Sequence, residues 1–166
     1  MKYFLCSCYV LLFISTNSFA IDIGKLVLRD GVYYEQFSNI PYTGWGEEKC
    51  TNTYVYDETI QFSGAIDNGI KNGVWNKYNC DYDHNLREDI LYYEGRIIYI
   101  TEYHNEKCQT GRYSYQSVVC KKEERSYDRK DQLTGVFTSY HQKLDFIKIT
   151  GNYRNGKKNG LWNEYN

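Results

Sequence analysis

Proline occurs once in the 166 residues, at Pro41, so the chain is not a Pro-rich linker or tail. Neither sign of charge prevails, with 20 Lys and Arg against 21 Asp and Glu. A near-neutral chain with a pI near 6.3 lacks the electrostatic footprint of a nucleic-acid binder. Its apolar stretch Tyr3–Ile14 is shorter than the roughly 20 residues a membrane span needs. Catalytic signatures are missing too: there is no Gly-x-Ser-x-Gly elbow, phosphate loop or His-Glu-x-x-His pair. The histidines His84, His104 and His141 stand apart from one another. His104 sits at a variable repeat position and reads as solvent-facing. No Cys-x-x-Cys pair or neighbouring His has ligand spacing, which argues against a metal site. These absences point to a protein that is not an enzyme and carries no cofactor.

What is present begins with an export signal. Lys2 supplies a short positive region, Tyr3–Ile14 an apolar one, and Ser18-Phe19-Ala20 small residues at the cleavage positions. Residues 1–20 are therefore expected to be removed. The mature chain would start at Ile21, without a membrane span, and be periplasmic or secreted. It keeps Cys50, Cys80, Cys108 and Cys120, an even number that favours disulfides in an exported protein. Nineteen tyrosines suit half-exposed strands, where the ring lies on the sheet and the hydroxyl reaches water.

The dominant feature is an internal repeat. Gly64–Asn79 (GAIDNGIKNGVWNKYN) and Gly151–Asn166 (GNYRNGKKNGLWNEYN) share Gly, Asn-Gly, Asn-Gly, Trp-Asn and Tyr-Asn at the same spacing. Asn68-Gly69 and Asn155-Gly156 are hairpin turn pairs, because both positions require positive φ. Strand-like runs flank each turn, so each repeat predicts one β-hairpin, and stacked hairpins bury what one alone leaves exposed. Gly73 and Gly160 are expected to open the return strand where a side chain would crowd the turn. Weaker copies occur at Glu102–Gln116 and Leu133–Tyr140. Glycines at 44, 73, 111, 135 and 160 then give spacings of 29, 38, 24 and 25. The longest spacing holds an excursion, Cys80–Asp89, and an extra strand, Ile90–Tyr103. Trp162 and Tyr165 stand three apart, so either both faces carry aromatics or a bulge intervenes.

Cys50 and Cys80 lie six residues after Gly44 and seven after Gly73, similar phases of consecutive repeats, so Cys50–Cys80 is the favoured bridge. Cys108–Cys120 follows only by elimination. Regular hairpin geometry holds that pair apart, and Cys80–Cys120 remains its rival.

The repeat resembles the bacterial variant of the MORN repeat, Gly-x-Tyr-x-Asn-Gly-Lys-x-x-Gly-x-Trp-x-x-Tyr, and Gly151–Tyr165 matches every fixed position. Leu26–Gly44, with its Tyr-Tyr and Pro-Tyr-Thr-Gly, looks like the usual N-terminal segment of such proteins. The resemblance implies an all-β fold for residues 21–166: antiparallel hairpins forming one elongated, curved sheet. It also implies a protein-binding role, since relatives are described as YwqK-like antitoxins that act as immunity partners of toxins. Envelope scaffolding, with lipid or glycan bound along an aromatic face, is the alternative.

Two irregular segments would carry recognition in such an array, Cys80–Asp89 and the mixed-charge run Lys121–Asp131. The latter reads as a solvated loop or hairpin end, or else as a recognition loop. Tyr82, Asp83, His84, Arg87, Arg125 and Tyr127 combine the aromatic, charged and Arg character of binding hot spots and are the candidate partner-binding residues.

Overall fold

The computed structural model describes residues 20–51, 59–81, 83–107, 119–142 and 146–166, with only the backbone of 105–107. The export signal, Tyr82 and Cys108 thus fall outside the described residues, apart from Ala20. The strands are β1 (Ile21–Asp22), β2 (Leu26–Arg29), β3 (Val32–Glu35), β4 (Gly44–Lys49), β5 (Ile60–Asp67) and β6 (Ile70–Tyr78). They continue with β7 (Leu86–Tyr93), β8 (Arg96–Lys107), β9 (Val119–Tyr127), β10 (Leu133–Tyr140), β11 (Ile147–Arg154) and β12 (Lys157–Glu164). A single 3-10 turn, Ile23–Lys25, is the only helical element among the described residues. Ten strands form one open sheet in the order β1-β4-β5-β6-β7-β8-β9-β10-β11-β12, and β2-β3 form a separate hairpin. Every pair is antiparallel except β1–β4, which is parallel. The expected all-β hairpin array is the fold.

Among the described residues four hairpins close on two-residue turns: Asp30-Gly31, Asn68-Gly69, Glu94-Gly95 and Asn155-Gly156. Their first residues have φ of 50, 48, 49 and 51° and their glycines 76–80°. This is the left-handed pair that matches strand twist. Glu94-Gly95 divides the stretch expected to be one strand, Ile90–Tyr103, into the end of β7 and most of β8. Successive turns lean on the chain before them. Gly69 N donates to Tyr42 O (2.7 Å), Gly95 N to Lys71 O (3.1 Å) and Gly156 N to Leu133 O (2.9 Å).

The return-strand glycines have another cause than the one expected. A Cβ at Gly73 or Gly160 would meet nothing within 4 Å, so crowding is not the reason. Both residues have φ near +75°, and the ladder slips beside each of them. They are bulge glycines, chosen for conformation. The bulge brings Trp75 directly opposite Gly64.

The two faces differ in kind. One row of cross-strand partners is polar on all ten strands: Asp22, Glu47, Ser63, Asn76, Asp89, Thr101, Glu124, Thr138, Thr150 and Asn163. Ser63, Thr101 and Thr138 in this row are buried. Tyrosines and amides serve its carboxylates. Asn76 Nδ2 and Tyr103 Oη each donate to Asp89 at 2.6 Å, and Tyr140 Oη donates to Glu124. The adjacent row, Gly64, Trp75, Ile90 and Ile100, points the other way. There it joins Leu26 and Ile66 in the apolar core, fringed by Tyr33, Tyr42, Tyr92 and Tyr127. The tyrosine-rich composition thus serves both faces, with hydroxyls on one and rings on the other.

Cys50 and Cys80 form a disulfide, with Cα atoms 5.7 Å apart, that links the ends of β4 and β6 across β5. This excludes the Cys80–Cys120 rival. Cys120 is fully buried and disulfide-bonded, to a partner outside the described residues.

Candidate binding site

The end of β6, the start of β7, the end of β8, the start of β9 and the end of β10 lie on the side away from the two-residue turns. Asn79 and Asn85 close the connection between β6 and β7. Asn79 N donates to Asn85 O (3.0 Å), and His84 N donates to Asp81 Oδ1 (3.1 Å). The disulfide at Cys80 pins its start. His84 takes φ of 45° and stacks on Tyr78, with centroids 4.8 Å apart. The excursion Cys80–Asp89 is therefore only half a loop, because β7 starts at Leu86.

Most of the run Lys121–Asp131 is strand, and only its last residues, Asp128–Asp131, form a hairpin end, the β9–β10 turn. Val119–Tyr127 forms β9, an interior strand between β8 and β10. Charged residues are tolerated there because they are paired, Lys121 with Glu124 and Arg125 with Glu123 within β9, and Lys122 and Arg125 with Glu102 on β8. Lys77, Glu88, Glu102 and Glu123 are successive cross-strand partners on β6 to β9. Like charges directly opposite one another destabilise a sheet, so the three glutamates need cations. Lys77 Nζ lies 3.1 Å from Glu88, Lys122 Nζ lies 3.1 Å from Glu102, and Arg125 bridges Glu102 and Glu123.

Burial works against the Glu102 carboxylate. Hydrogen bonds from Arg125 and Lys122, aided by their charges, outweigh it and hold Glu102 below its ordinary pKa. Burial likewise opposes the charge of Arg125, and Glu102 more than offsets it, so that the guanidinium pKa is raised. On the opposite face Glu124 is also held low. Hydrogen bonds from Tyr140, Lys121 and Tyr99 overcome its burial.

A cavity of about 480 Å³ opens beside this ladder, lined by Asn79, Arg87, Glu102, Tyr103, His104, Lys122 and Gln142. Of the predicted residues that are described, only Arg87 reaches it. Asp83 is exposed on the neighbouring turn. The His84 ring is committed to Tyr78. Arg125 is 21% exposed and spent within the ladder. Tyr127 is half-buried against the apolar core and lines a second, more apolar cavity of about 370 Å³ with Tyr92, Ile97 and Ile100. His104, expected to face solvent, is half-buried at the first cavity. Glu102, Tyr103 and Lys122 carry no signal of their own in the sequence, because only the β8–β9 register brings Lys122 beside Glu102 and Tyr103.

Arg87 differs from the other cations. Its side chain is 56% exposed, and its contact with Glu88 spans 3.6 Å, to a carboxylate Lys77 already holds at 3.1 Å. Its guanidinium is thus the most available positive charge of the ladder, at the rim of a polar cavity.

Among the described residues no group of His, Cys, Asp and Glu is placed to hold a metal ion. None of their helices is long and apolar enough to cross a membrane. Compared with known proteins, the chain matches no family model, no curated protein and no solved structure.

Proposed function

We propose that the protein is an exported, non-enzymatic binding protein that takes an acidic group of a protein partner at the Arg87 cavity. In its most concrete form it is a periplasmic immunity protein occluding a cognate toxin. The exposed, weakly committed Arg87 guanidinium carries this reading. A desolvated Arg that gains a carboxylate is a typical interface anchor. The rigid sheet behind it, with Arg125 tying β8 to β9, supplies a preorganised support. The immunity role rests on the likeness of the repeats to MORN-type antitoxins, and export on the signal-like first 20 residues and the Cys50–Cys80 bridge.

The test is a pull-down of partners from envelope extract, read by mass spectrometry and followed by calorimetry. Arg87→Glu should weaken the captured partner about ten-fold or more, as for a hot-spot residue. Arg129→Glu, in the turn after β9 and away from the cavity, should leave affinity unchanged. A toxin encoded beside this chain supports the immunity reading. Equal binding by Arg87→Glu and the unaltered chain defeats the proposed anchor.

Envelope scaffolding is favoured by a separate observation. Trp45, Val74, Val136 and Leu161 each follow a return-strand glycine and are exposed apolar residues. Loss of vesicle or glycan binding on replacing them, with Arg87→Glu silent, would make that the better reading.

A further inference from the structure

The outermost described strand, β12, repeats β6, and β6 has a neighbour that β12 lacks among the described residues. On the far side of β6, β7 pairs Tyr92, Leu91, Ile90, Asp89 and Glu88 with Gly73, Val74, Trp75, Asn76 and Lys77. This edge has no slip between Gly73 and Lys77, because the bulge at Gly73 disturbs only the β5 side. The side chains match along it. Tyr92 meets Trp75 edge-on at 6.1 Å, Asp89 accepts from Asn76 at 2.6 Å, and Glu88 pairs with Lys77 at 3.1 Å. Under this cover Trp75 is fully buried.

In β12 the same edge reads Gly160-Leu161-Trp162-Asn163-Glu164. The Trp ring is set in the same way, with Lys158 Nζ 4.2 Å above Trp162 as Lys71 Nζ lies 4.4 Å above Trp75. Every residue of β12 except Trp162 is exposed, Leu161 to 79%. Exposed edges are usually blunted by Pro, Lys or a bulge. From Gly160 to Glu164 there is no Pro or Lys, and β6 demonstrates that the outer side of this bulge still accepts a strand.

We propose that the β12 edge docks an extended segment of a protein partner as an additional antiparallel strand. The β7 template defines its chemistry: an aliphatic residue opposite Trp162, an aromatic opposite Gly160 and a carboxylate opposite Asn163. Glu164 stands where β6 has Lys77, so the residue opposite it is a cation. Main-chain hydrogen bonds supply the affinity and these alternating positions the selectivity. A second copy of β12 does not fit. Paired antiparallel over Gly160–Glu164, it sets Trp162 against Trp162 and Glu164 against Gly160, with no cation for Glu164 and no carboxylate for Asn163. This site is independent of Arg87.

The probe is a synthetic peptide of residues 86–93 carrying Glu88→Lys, titrated into the whole isotope-labelled chain. Saturable binding is expected, with slowed amide exchange at residues 160–164. In the chain, Glu164→Lys should weaken this peptide at least three-fold and reverse the preference toward the parent peptide with Glu88. Position 164 is exposed, so folding is not at stake. The inference falls if the peptide fails to saturate at millimolar concentration, if protection appears away from β12, or if the charge swap leaves the preference unchanged. It falls equally if the chain alone dimerises with its β12 amides protected, since a second copy is then the occupant.

Discussion

The indole of Trp162 lies on the α-carbon of Gly151, where a Cβ would stand 2.2 Å from Trp162 Cδ2. Gly64 and Trp75 stand in the same relation at 2.3 Å. The first glycine of the repeat is therefore a seat for its tryptophan, and no side chain fits beneath the ring without moving it. The two seats differ in what lies above. Trp75 is fully buried, donates Nε1 to Ala65 O at 3.0 Å and is covered by Phe62 and Tyr92. Trp162 is half-buried, and its Nε1 makes no hydrogen bond. Gly64→Ala should cost about 3 kcal/mol, since the confined ring has nowhere to go, and Gly151→Ala about 1 kcal/mol. Trp75→Ala should cost about 4 kcal/mol and Trp162→Ala about 2 kcal/mol. Denaturant titration measures all four, and equal costs at the two seats would contradict this account.

Acid should weaken the sheet through Glu102 and Glu124. For both, burial is opposed and outweighed by hydrogen bonds, from Arg125 and Lys122 to the first and from Tyr140, Lys121 and Tyr99 to the second. Their folded pKa values lie below the unfolded carboxylate value of about 4.3. A depressed folded pKa contributes stability that is complete above the unfolded value and is lost as pH falls through the folded one. Glu124→Gln should therefore be less stable than the parent at pH 7, with the gap closing below about pH 4. Melting curves across that range check it, and a gap that persists at low pH would place the contribution of Glu124 elsewhere than in its charge.

The alkaline limb belongs to Tyr103. Burial, followed by the hydrogen bond to Asp89 and the charge of that carboxylate, raises the Tyr103 pKa well above its ordinary value. A raised folded pKa contributes stability that is present below the unfolded value, about 10, and is lost as pH climbs through the folded value. Lys71 pulls the other way. Burial among Phe62, Trp75 and Tyr92 lowers its pKa, so its neutral form favours the fold as pH approaches the unfolded value. The informative quantity is thus the difference between the parent and Tyr103→Phe. It should be about 2 kcal/mol at pH 7, for a hydrogen bond to a charged acceptor, and shrink above about pH 10.

The hairpins were legible because Asn-Gly admits few other conformations, and the Cys50–Cys80 bridge because both residues follow their strand-opening glycines at nearly the same distance. Glu94-Gly95 adopts the same turn geometry as the Asn-Gly pairs, but Glu is a poor signal for positive φ, so the sequence alone shows one strand where β7 and β8 form a hairpin. Strand β9 was hidden for a different reason. Lys121–Tyr127 has no apolar alternation, and its strand character comes from partners such as Glu102 and Tyr140 that are distant in sequence. A period-two pattern of charge against charge is invisible until the register is known. The cavity was hidden likewise, because Arg87, Glu102 and Lys122 meet only across strands.

Arg87 and Arg125 looked alike in sequence, yet reversing their charges should have opposite consequences. Arg125 bridges Glu102 and Glu123 from a position 21% exposed. Arg125→Glu would set a further carboxylate among Glu88, Glu102 and Glu123, leaving Lys122 as the cation nearest Glu102. Breaking a largely buried ion network from one side typically costs about 3–5 kcal/mol, and the remaining exposure brings the expected loss to about 2–4 kcal/mol. Arg87 is 56% exposed, and Lys77 already holds Glu88 at 3.1 Å. Arg87→Glu should change stability by no more than about 0.5 kcal/mol. Denaturant titration of the two variants decides the matter. If Arg87→Glu unfolds the chain as readily as Arg125→Glu, Arg87 belongs to the framework of the sheet and is not a free anchor for a partner.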